Sequence, residues 1–183
     1  MTAAALVLVR HAAPQQRADV PPQLWRLSDA GREAAAALAG RLREIAPTSV
    51  CASSEPKAIE TAEAIGHRFR LSVEVDAAFD EHRREAWPYE PDPNAVRTRV
   101  LRTLRDPELS VDGAETGAAA ALRFAAGLAR HPERPLVVVS HGTVLSLWLA
   151  HRLGLDAADL WSSLRLPEAF LLSRDGGLIG RIA

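Results

Sequence analysis

The chain is poor in several residue types that build particular kinds of protein. Its 183 residues include one cysteine and one methionine, and Lys57 is the only lysine beside 21 arginines. A single cysteine excludes an internal disulfide and a zinc or iron–sulfur site built from cysteines, so we expect Cys51 to be a small buried hydrophobe. The formal net charge is −1, without the basic excess that nucleic acid or an anionic membrane surface would select. We therefore expect neither partner.

Long hydrophobic runs are also missing. The longest apolar stretches have the length of a strand or the spacing of an amphipathic helix, far short of the roughly 20 residues of a membrane span. The N-terminal residues Met1 to Leu6 carry no basic segment, which is unlike a signal peptide. A chain of 183 residues can bury a core without disulfides or a structural metal ion, so we expect one domain, residues 1–183. We expect this domain to be in the cytoplasm.

The chain does contain an alternation of short apolar runs with longer helical patterns. Such alternation predicts an α/β fold with a mainly parallel central sheet. The predicted strands cover residues 4–9, 49–52, 71–75, 136–140, 169–173 and 178–182. The predicted helices cover about 29–45, a segment from Pro56 to Phe69, 115–130 and about 143–153.

Residues 80–114 break this alternation. The segment mixes charged residues with prolines and aromatics, namely Trp87, Pro88, Tyr89, Pro91, Pro93 and Pro107. We interpret it as a lid-like excursion over one end of the sheet, with a helix near 94–105, rather than as a second domain.

Two of the predicted strands lead into a histidine. One run ends in Arg10-His11, and the run 136–140 is followed by His141-Gly142. In open α/β sheets, ligands bind beyond the carboxyl ends of the strands. A lone histidine at a strand end is usually structural, but two at matching positions, one beside an arginine, favour a functional site. If the two strands are neighbours, both imidazoles face one pocket.

These residue types suit phosphoryl transfer. A neutral imidazole can be a nucleophile when a hydrogen bond on its other nitrogen selects the tautomer. A guanidinium and a second imidazole can bind a tetrahedral oxyanion. The sequence has neither a Walker A pattern nor G-x-G-x-x-G, so we expect no loop that cradles a nucleotide.

The two histidine segments belong to a series of short motifs that extends along nearly the whole chain. With the two histidine segments they are Leu8-Val9-Arg10-His11-Ala12, Leu27-Ser28-Asp29-Ala30-Gly31, Ser53 to Ala62, Phe79-Asp80-Glu81, Gly113-Ala114-Glu115-Thr116 and Val138-Val139-Ser140-His141-Gly142. In this order they resemble the motifs of the histidine phosphatase superfamily, also called phosphoglycerate mutase-like. The resemblance implies a three-layer sandwich in which helices flank the sheet.

The resemblance also implies a role for each matching residue. His11 is the nucleophile that forms a phosphohistidine, Glu81 is the general acid and base, and His141 is the third catalytic residue. The positions that bind the phosphoryl oxygens are Arg10, Lys57, His141 and Gly142. His82 and Trp87 are candidate substrate contacts. No metal and no organic cofactor is implied.

Two residues depart from the family pattern. Ala12 replaces a glycine, which preserves the turn if the local φ is negative. Lys57 replaces an arginine, so a compact ammonium group stands where the family has a planar guanidinium that can donate two parallel hydrogen bonds. An ammonium group still binds phosphate. Because every other basic residue is arginine, we infer that the pocket or its substrate favours an ammonium here.

The resemblance leaves three functions open. A phosphomonoesterase ranks first, because the residues after His11 read Ala12-Ala13-Pro14-Gln15-Gln16, unlike family mutases. The second hypothesis is an enzyme that transfers a phosphoryl group as a phosphoglycerate mutase does. The third is a catalytically weak member that binds a phosphorylated ligand or a protein. The expected partner is a small phosphorylated substrate, with a phosphoprotein as the alternative, and the sequence does not determine the oligomeric state.

Overall fold

A computed structural model of the chain describes residues 4–87 and 90–183. The strands are Leu6–Arg10 (β1), Ser49–Ala52 (β2), Val73–Val75 (β3), Leu136–Ser140 (β4), Glu168–Leu172 (β5) and Leu178–Ile182 (β6). The α-helices within these residues are Asp29–Arg41 (α1), Pro56–Phe69 (α2), Pro93–Arg105 (α3), Gly117–Arg130 (α4), Gly142–Leu153 (α5) and Ala157–Ser163 (α6).

The strands form one six-stranded sheet in the order β3-β2-β4-β1-β5-β6. The first four strands of this order are parallel, and β5 and β6 are antiparallel to their neighbours. The prediction of a mainly parallel sheet is therefore confirmed. In β1 and β4, Leu6 lies opposite Leu136 and Arg10 lies opposite Ser140, so the two strands end at the same height.

Helices cover both faces of the sheet, which accounts for strands that are apolar at every position. Val7 and Val9 point to the face covered by α1 and α2. Leu6 and Leu8 point to the opposite face, where residues of α3, α4, α5 and α6 pack. All four side chains are buried. These layers are the three-layer sandwich that the motifs imply.

The structure corrects the predicted elements at several places. α1 ends at Arg41 rather than near Ile45. β3 begins at Val73, because Arg70 ends α2 in the left-handed conformation, with φ 58°, and the backbone N–H of Leu71 still bonds to the helix. α6 was not predicted, although Asp156 caps it through Asp159 N, 2.8 Å away.

The segment 80–114 contains α3 close to where the sequence predicts it. Val100 and Leu104 of this helix are buried in the core on the α4–α5 face of the sheet, and Trp87 packs against the same cluster. The single domain with a lid-like excursion stays a prediction. No helix of the described ranges 4–87 and 90–183 is both long and apolar enough to cross a membrane.

The turn before Glu81 packs closely against α4, and this contact is testable. A Cβ at Gly127 would lie 2.8 Å from both Ala78 Cβ and Phe79 Cε1, inside a buried cluster. We expect Gly127→Ala to lower the free energy of unfolding by about 1–3 kcal/mol through overpacking, measured by urea denaturation. Gly40→Ala is the control, because its Cβ meets nothing within 4 Å and should add about 0.5–1 kcal/mol. Equal effects of the two changes would contradict this packing.

Candidate active site

The parallel pairing of β1 with β4 brings the two histidines together. The backbone N–H of His11 donates to Ser140 O at 3.0 Å, which continues the strand pairing by one residue. The ring centroids of His11 and His141 lie 5.1 Å apart, edge to face. The sequence prediction that both imidazoles lie at one edge of the sheet is thus confirmed in its geometry.

The ring of His11 is held in one tautomer. Its Nδ1 lies 2.7 Å from the carbonyl oxygen of Ala12, and since a carbonyl only accepts, Nδ1 carries the proton and Nε2 keeps its lone pair. Burial lowers the pKa of His11 to about 3, and the charges of Lys57 and Arg10 act in the same direction. The imidazole is therefore neutral at physiological pH. Ala12 is not among the described residues with positive φ, so its methyl group fits the turn.

A chain of hydrogen bonds orients His141. Ser53 Oγ donates to Asp80 Oδ1 at 2.9 Å, so it accepts at 2.7 Å from Nε2 of His141. The Ser54 N–H also donates to Asp80, at 2.7 Å. Burial lowers the pKa of His141 well below its usual value, helped by the neighbouring His11 and Lys57. Nδ1 of His141 is buried and has no hydrogen-bond partner in the described part of the chain.

Arg10 extends along the N-terminus of α5. Its Nη1 donates to the carbonyl of Leu164 at 3.1 Å, whereas its Nε is buried with no partner among the described residues. A Cβ at Gly142 would lie 3.2 Å from this Nε and 3.3 Å from Trp161 Nε1. Glycine at position 142 therefore lets the guanidinium lie close to the helix. Burial lowers the pKa of Arg10, but an arginine retains its charge.

Lys57 is buried near the start of α2 and is already paired. Its ammonium forms an ion pair with Glu55 and donates to the Pro22 carbonyl at 2.9 Å. The other oxygen of Glu55, Oε1, lies 3.6 Å from Nε2 of His141 and accepts from the backbone N–H of Glu81 at 3.2 Å. Burial raises the pKa of Glu55, although the charge of Lys57 opposes this. The pocket thus holds a carboxylate beside its lysine.

Glu81 is anchored at the N-terminus of α5. Its carboxylate accepts from the backbone N–H groups of Thr143 at 3.2 Å, Val144 at 3.1 Å and His82 at 2.8 Å. Burial alone raises the pKa of Glu81, but the Arg84 guanidinium, 4.0 Å away, and these donors outweigh it and leave the pKa lowered. The carboxylate is ionised in this structure and lies on the same helix start that follows His141.

The two candidate substrate contacts, His82 and Trp87, both contact backbone carbonyls between residues 111 and 115. His82 is 2% exposed and its Nε2 contacts the carbonyl of Glu115. Trp87 donates from Nε1 to Val111 O at 2.9 Å, and its ring lies 5.3 Å from Cζ of Arg84. A contact of either residue with substrate stays a prediction. Tyr89 lies outside the described residues.

The structure adds three groups to the site for which the motifs predict no role: Glu55, Asp80 and the carbonyl of Leu164. Glu55 stands two residues before Lys57 in the motif that was recognised, so an acidic residue at that position was the available signal. Asp80 stands next to Glu81, but its bond to Ser53 joins residues 27 apart. Leu164 comes near Arg10 only through α6, which was not predicted.

Comparisons with known proteins show which family the chain belongs to. The model of the histidine phosphatase superfamily, branch 1, matches residues 6–171. Among solved structures, the mycobacterial glucosyl-3-phosphoglycerate phosphatase in complex with VO3 is 25% identical, with a TM-score of 0.72 over 97% of this chain and 98% of that chain. No curated protein matches significantly.

Two further structures share the fold. The alpha-ribazole phosphatase of Shigella flexneri is 21% identical, with a TM-score of 0.70 over 96% of this chain and 94% of that chain. The putative phosphohistidine phosphatase SixA of Agrobacterium tumefaciens is 16% identical, with a TM-score of 0.69 over 100% and 99%. These likenesses confirm the phosphoglycerate mutase-like fold class. By the match from β1 into β5, the chain belongs to the histidine phosphatase superfamily, branch 1.

Proposed function

We propose that the protein hydrolyses phosphomonoesters through a phosphohistidine on His11. The observation that carries this is the arrangement of nitrogen atoms around His11. A neutral His11 keeps its Nε2 lone pair, while Nε of Arg10 and Nδ1 of His141 are buried nearby without partners in the described residues. Buried polar atoms are normally hydrogen-bonded, so the free Nε–H of Arg10, and Nδ1 of His141 once it is protonated, suit an anionic ligand.

The proposed reaction has two steps. His11 Nε2 attacks phosphorus, the bond from phosphorus to the ester oxygen breaks, and the alkoxide takes a proton from Glu81. Water then attacks the phosphohistidine, Glu81 takes a proton from it, and the phosphorus–nitrogen bond breaks. The sum converts ester and water into alcohol and inorganic phosphate. No step requires a metal.

The charges around the pocket support this sequence of events. The negative charge of a bound phosphoryl group raises the pKa of His141 and Glu81 above their values in the protein alone. His141 can then donate from Nδ1 to a phosphoryl oxygen, and Glu81 can hold the proton that the leaving group needs. Arg10 and Lys57 supply the permanent positive charge, and Gly142 lets Arg10 approach.

The substrate class is a small phosphorylated metabolite in this proposal. Two of the similar structures are named glucosyl-3-phosphoglycerate phosphatase and alpha-ribazole phosphatase, while a third is named as a putative phosphohistidine phosphatase. Vanadate resembles a phosphoryl group in transfer, and one of these proteins was solved with VO3. These comparisons support a phosphomonoesterase, and the cytoplasm stays the location that the sequence predicts.

Replacing the nucleophile is the direct test of the mechanism. We expect His11→Ala to lower kcat for p-nitrophenyl phosphate by at least about 10⁴-fold, because no other group replaces its lone pair. Rapid acid-free quench of the wild type with labelled substrate should trap an acid-labile phosphoenzyme that the variant lacks. His151→Ala, on an exposed helix position, is the matched control. Undiminished turnover in His11→Ala would refute the mechanism.

The role of Glu81 depends on the leaving group. Glu81→Gln keeps the shape of the side chain but cannot transfer the proton, so kcat for an alkyl phosphate should fall about 10²–10⁴-fold. The loss for p-nitrophenyl phosphate should be much smaller, since p-nitrophenolate leaves without a proton. Glu85→Gln is the control. Equal losses with both substrates would assign the acid role to Glu85 or His82 instead.

The contact between Glu55 and Lys57 makes a third test. Glu55→Gln retains an acceptor for the Glu81 N–H but removes the negative charge that competes with phosphate for the ammonium. The inhibition constant of orthovanadate should therefore fall about tenfold, a change well within the interaction of two charges in a partly buried site. Glu63→Gln, on the exposed face of the same helix, is the control. Weaker vanadate binding in Glu55→Gln would mean that the carboxylate is needed to position Lys57.

A further inference from the structure

A second cluster of reactive side chains lies outside the pocket, where β2, β3 and α4 meet. Cys51 and Glu74 are direct partners in the parallel pairing of β2 with β3, so both side chains point to the same face of the sheet. His131 follows the last residue of α4 over that face, with its ring 5.7 Å from that of Phe79. One ligand atom from each of the three residues lies within 4.8 Å of the others.

The spacing of these atoms suits a shared metal ion. Nδ1 of His131 and Oε2 of Glu74 are 3.6 Å apart, which is too long for a hydrogen bond. Two ligands bound at about 2.0–2.2 Å to one tetrahedral zinc ion are separated by roughly 3.3–3.6 Å. The separation therefore matches two corners of a tetrahedron better than it matches a direct contact.

A second carboxylate orients the histidine. Nε2 of His131 lies 3.1 Å from Oδ2 of Asp76, and Arg130 holds the same carboxylate at 2.7 Å. With Nε2 donating to Asp76, the lone pair of the ring lies on Nδ1, the nitrogen that faces Glu74. A carboxylate on the outer nitrogen of a histidine is the usual support of a metal ligand.

The local charges favour a cation. Burial and, to a smaller extent, the negative charges of Glu74, Asp76 and Glu133 together raise the pKa of the Cys51 thiol to about 12. The same carboxylates stabilise a divalent ion that replaces the thiol proton. Of the cations near this cluster, Arg130 is engaged with Asp76, and Arg134 donates to the carbonyl oxygens of His131 and Glu133. Cys51 and His131 are buried, whereas the Glu74 side chain is 70% exposed.

We propose that Cys51, Glu74 and His131 bind a divalent ion of the zinc class, with water as the fourth ligand. On binding, the S–H bond of Cys51 breaks, its proton passes to the buffer, and a metal–sulfur bond forms. A thiolate with an imidazole selects zinc or cobalt over magnesium or calcium. The site shares no residue with the phosphate pocket, and it links β2, β3 and α4 beside the turn that leads to Glu81.

Cobalt is the probe that reports on the thiolate. Titration of the metal-free protein with Co²⁺ should produce a near-ultraviolet charge-transfer band from sulfur to cobalt, and Cys51→Ala should lack it. Zn²⁺ should displace the Co²⁺ and, at about a hundredfold excess over its Kd, raise the Tm by about 5–10 °C. Bound Co²⁺ without the band would mean that surface histidines hold it, and this would overturn the proposal.

An exposed ligand keeps the test independent of folding. Glu74→Ala changes a side chain at the surface and should weaken Zn²⁺ affinity, measured by calorimetry, by about tenfold or more. Glu33→Ala removes an exposed carboxylate of α1 and should leave that affinity unchanged. Equal affinities in the two variants would overturn the site. Hydrolysis of p-nitrophenyl phosphate should be unaffected by Glu74→Ala. The test of the metal site and the test of the proposed function can therefore fail independently of each other.

Discussion

The pocket depends on the parallel pairing of β1 with β4. Because Arg10 lies opposite Ser140 in this register, the residue after each strand is a histidine at the same height, and the backbone N–H of His11 extends the pairing to Ser140 O. A slip of one residue would turn every side chain of the strand to the other face of the sheet. The buried valines and leucines on both faces prevent such a slip, so the core sets the distance between the imidazoles.

The second constraint is the placement of charge in a buried site. Two cations, Arg10 and Lys57, lie close to two neutral imidazoles, and the carboxylates of Glu55 and Glu81 offset them. Glu81 is stabilised by the N-terminus of α5, while Glu55 is held by Lys57 and the Glu81 N–H. An incoming phosphoryl group meets positive charge that is already arranged, which avoids reorganisation during the reaction.

The features that depend on residues close together in the sequence were predicted correctly. Continuous apolar runs predicted the buried strands, helical spacing predicted most helices, and the motif order predicted which residues meet at the edge of the sheet. The features that depend on contacts between distant parts of the chain were predicted less well. α6 is short and its packing with α5 and α3 is visible only in the fold, and β3 is shortened by the left-handed end of α2. The bond from Ser53 to Asp80 joins separate elements.

The sequence by itself determined the α/β class, the family and the position of the two histidines at strand ends. Each of these follows from short runs of consecutive residues and from the order of the motifs along the chain. Only the tertiary structure decided that Lys57 is paired with Glu55, that Asp80 and Ser53 select the tautomer of His141, and that Cys51 lies beside Glu74 and His131. Each of these contacts joins side chains whose separation depends on strand order, register and helix packing. Tautomers and charge states follow from such neighbours, so they cannot be deduced from the type of residue alone.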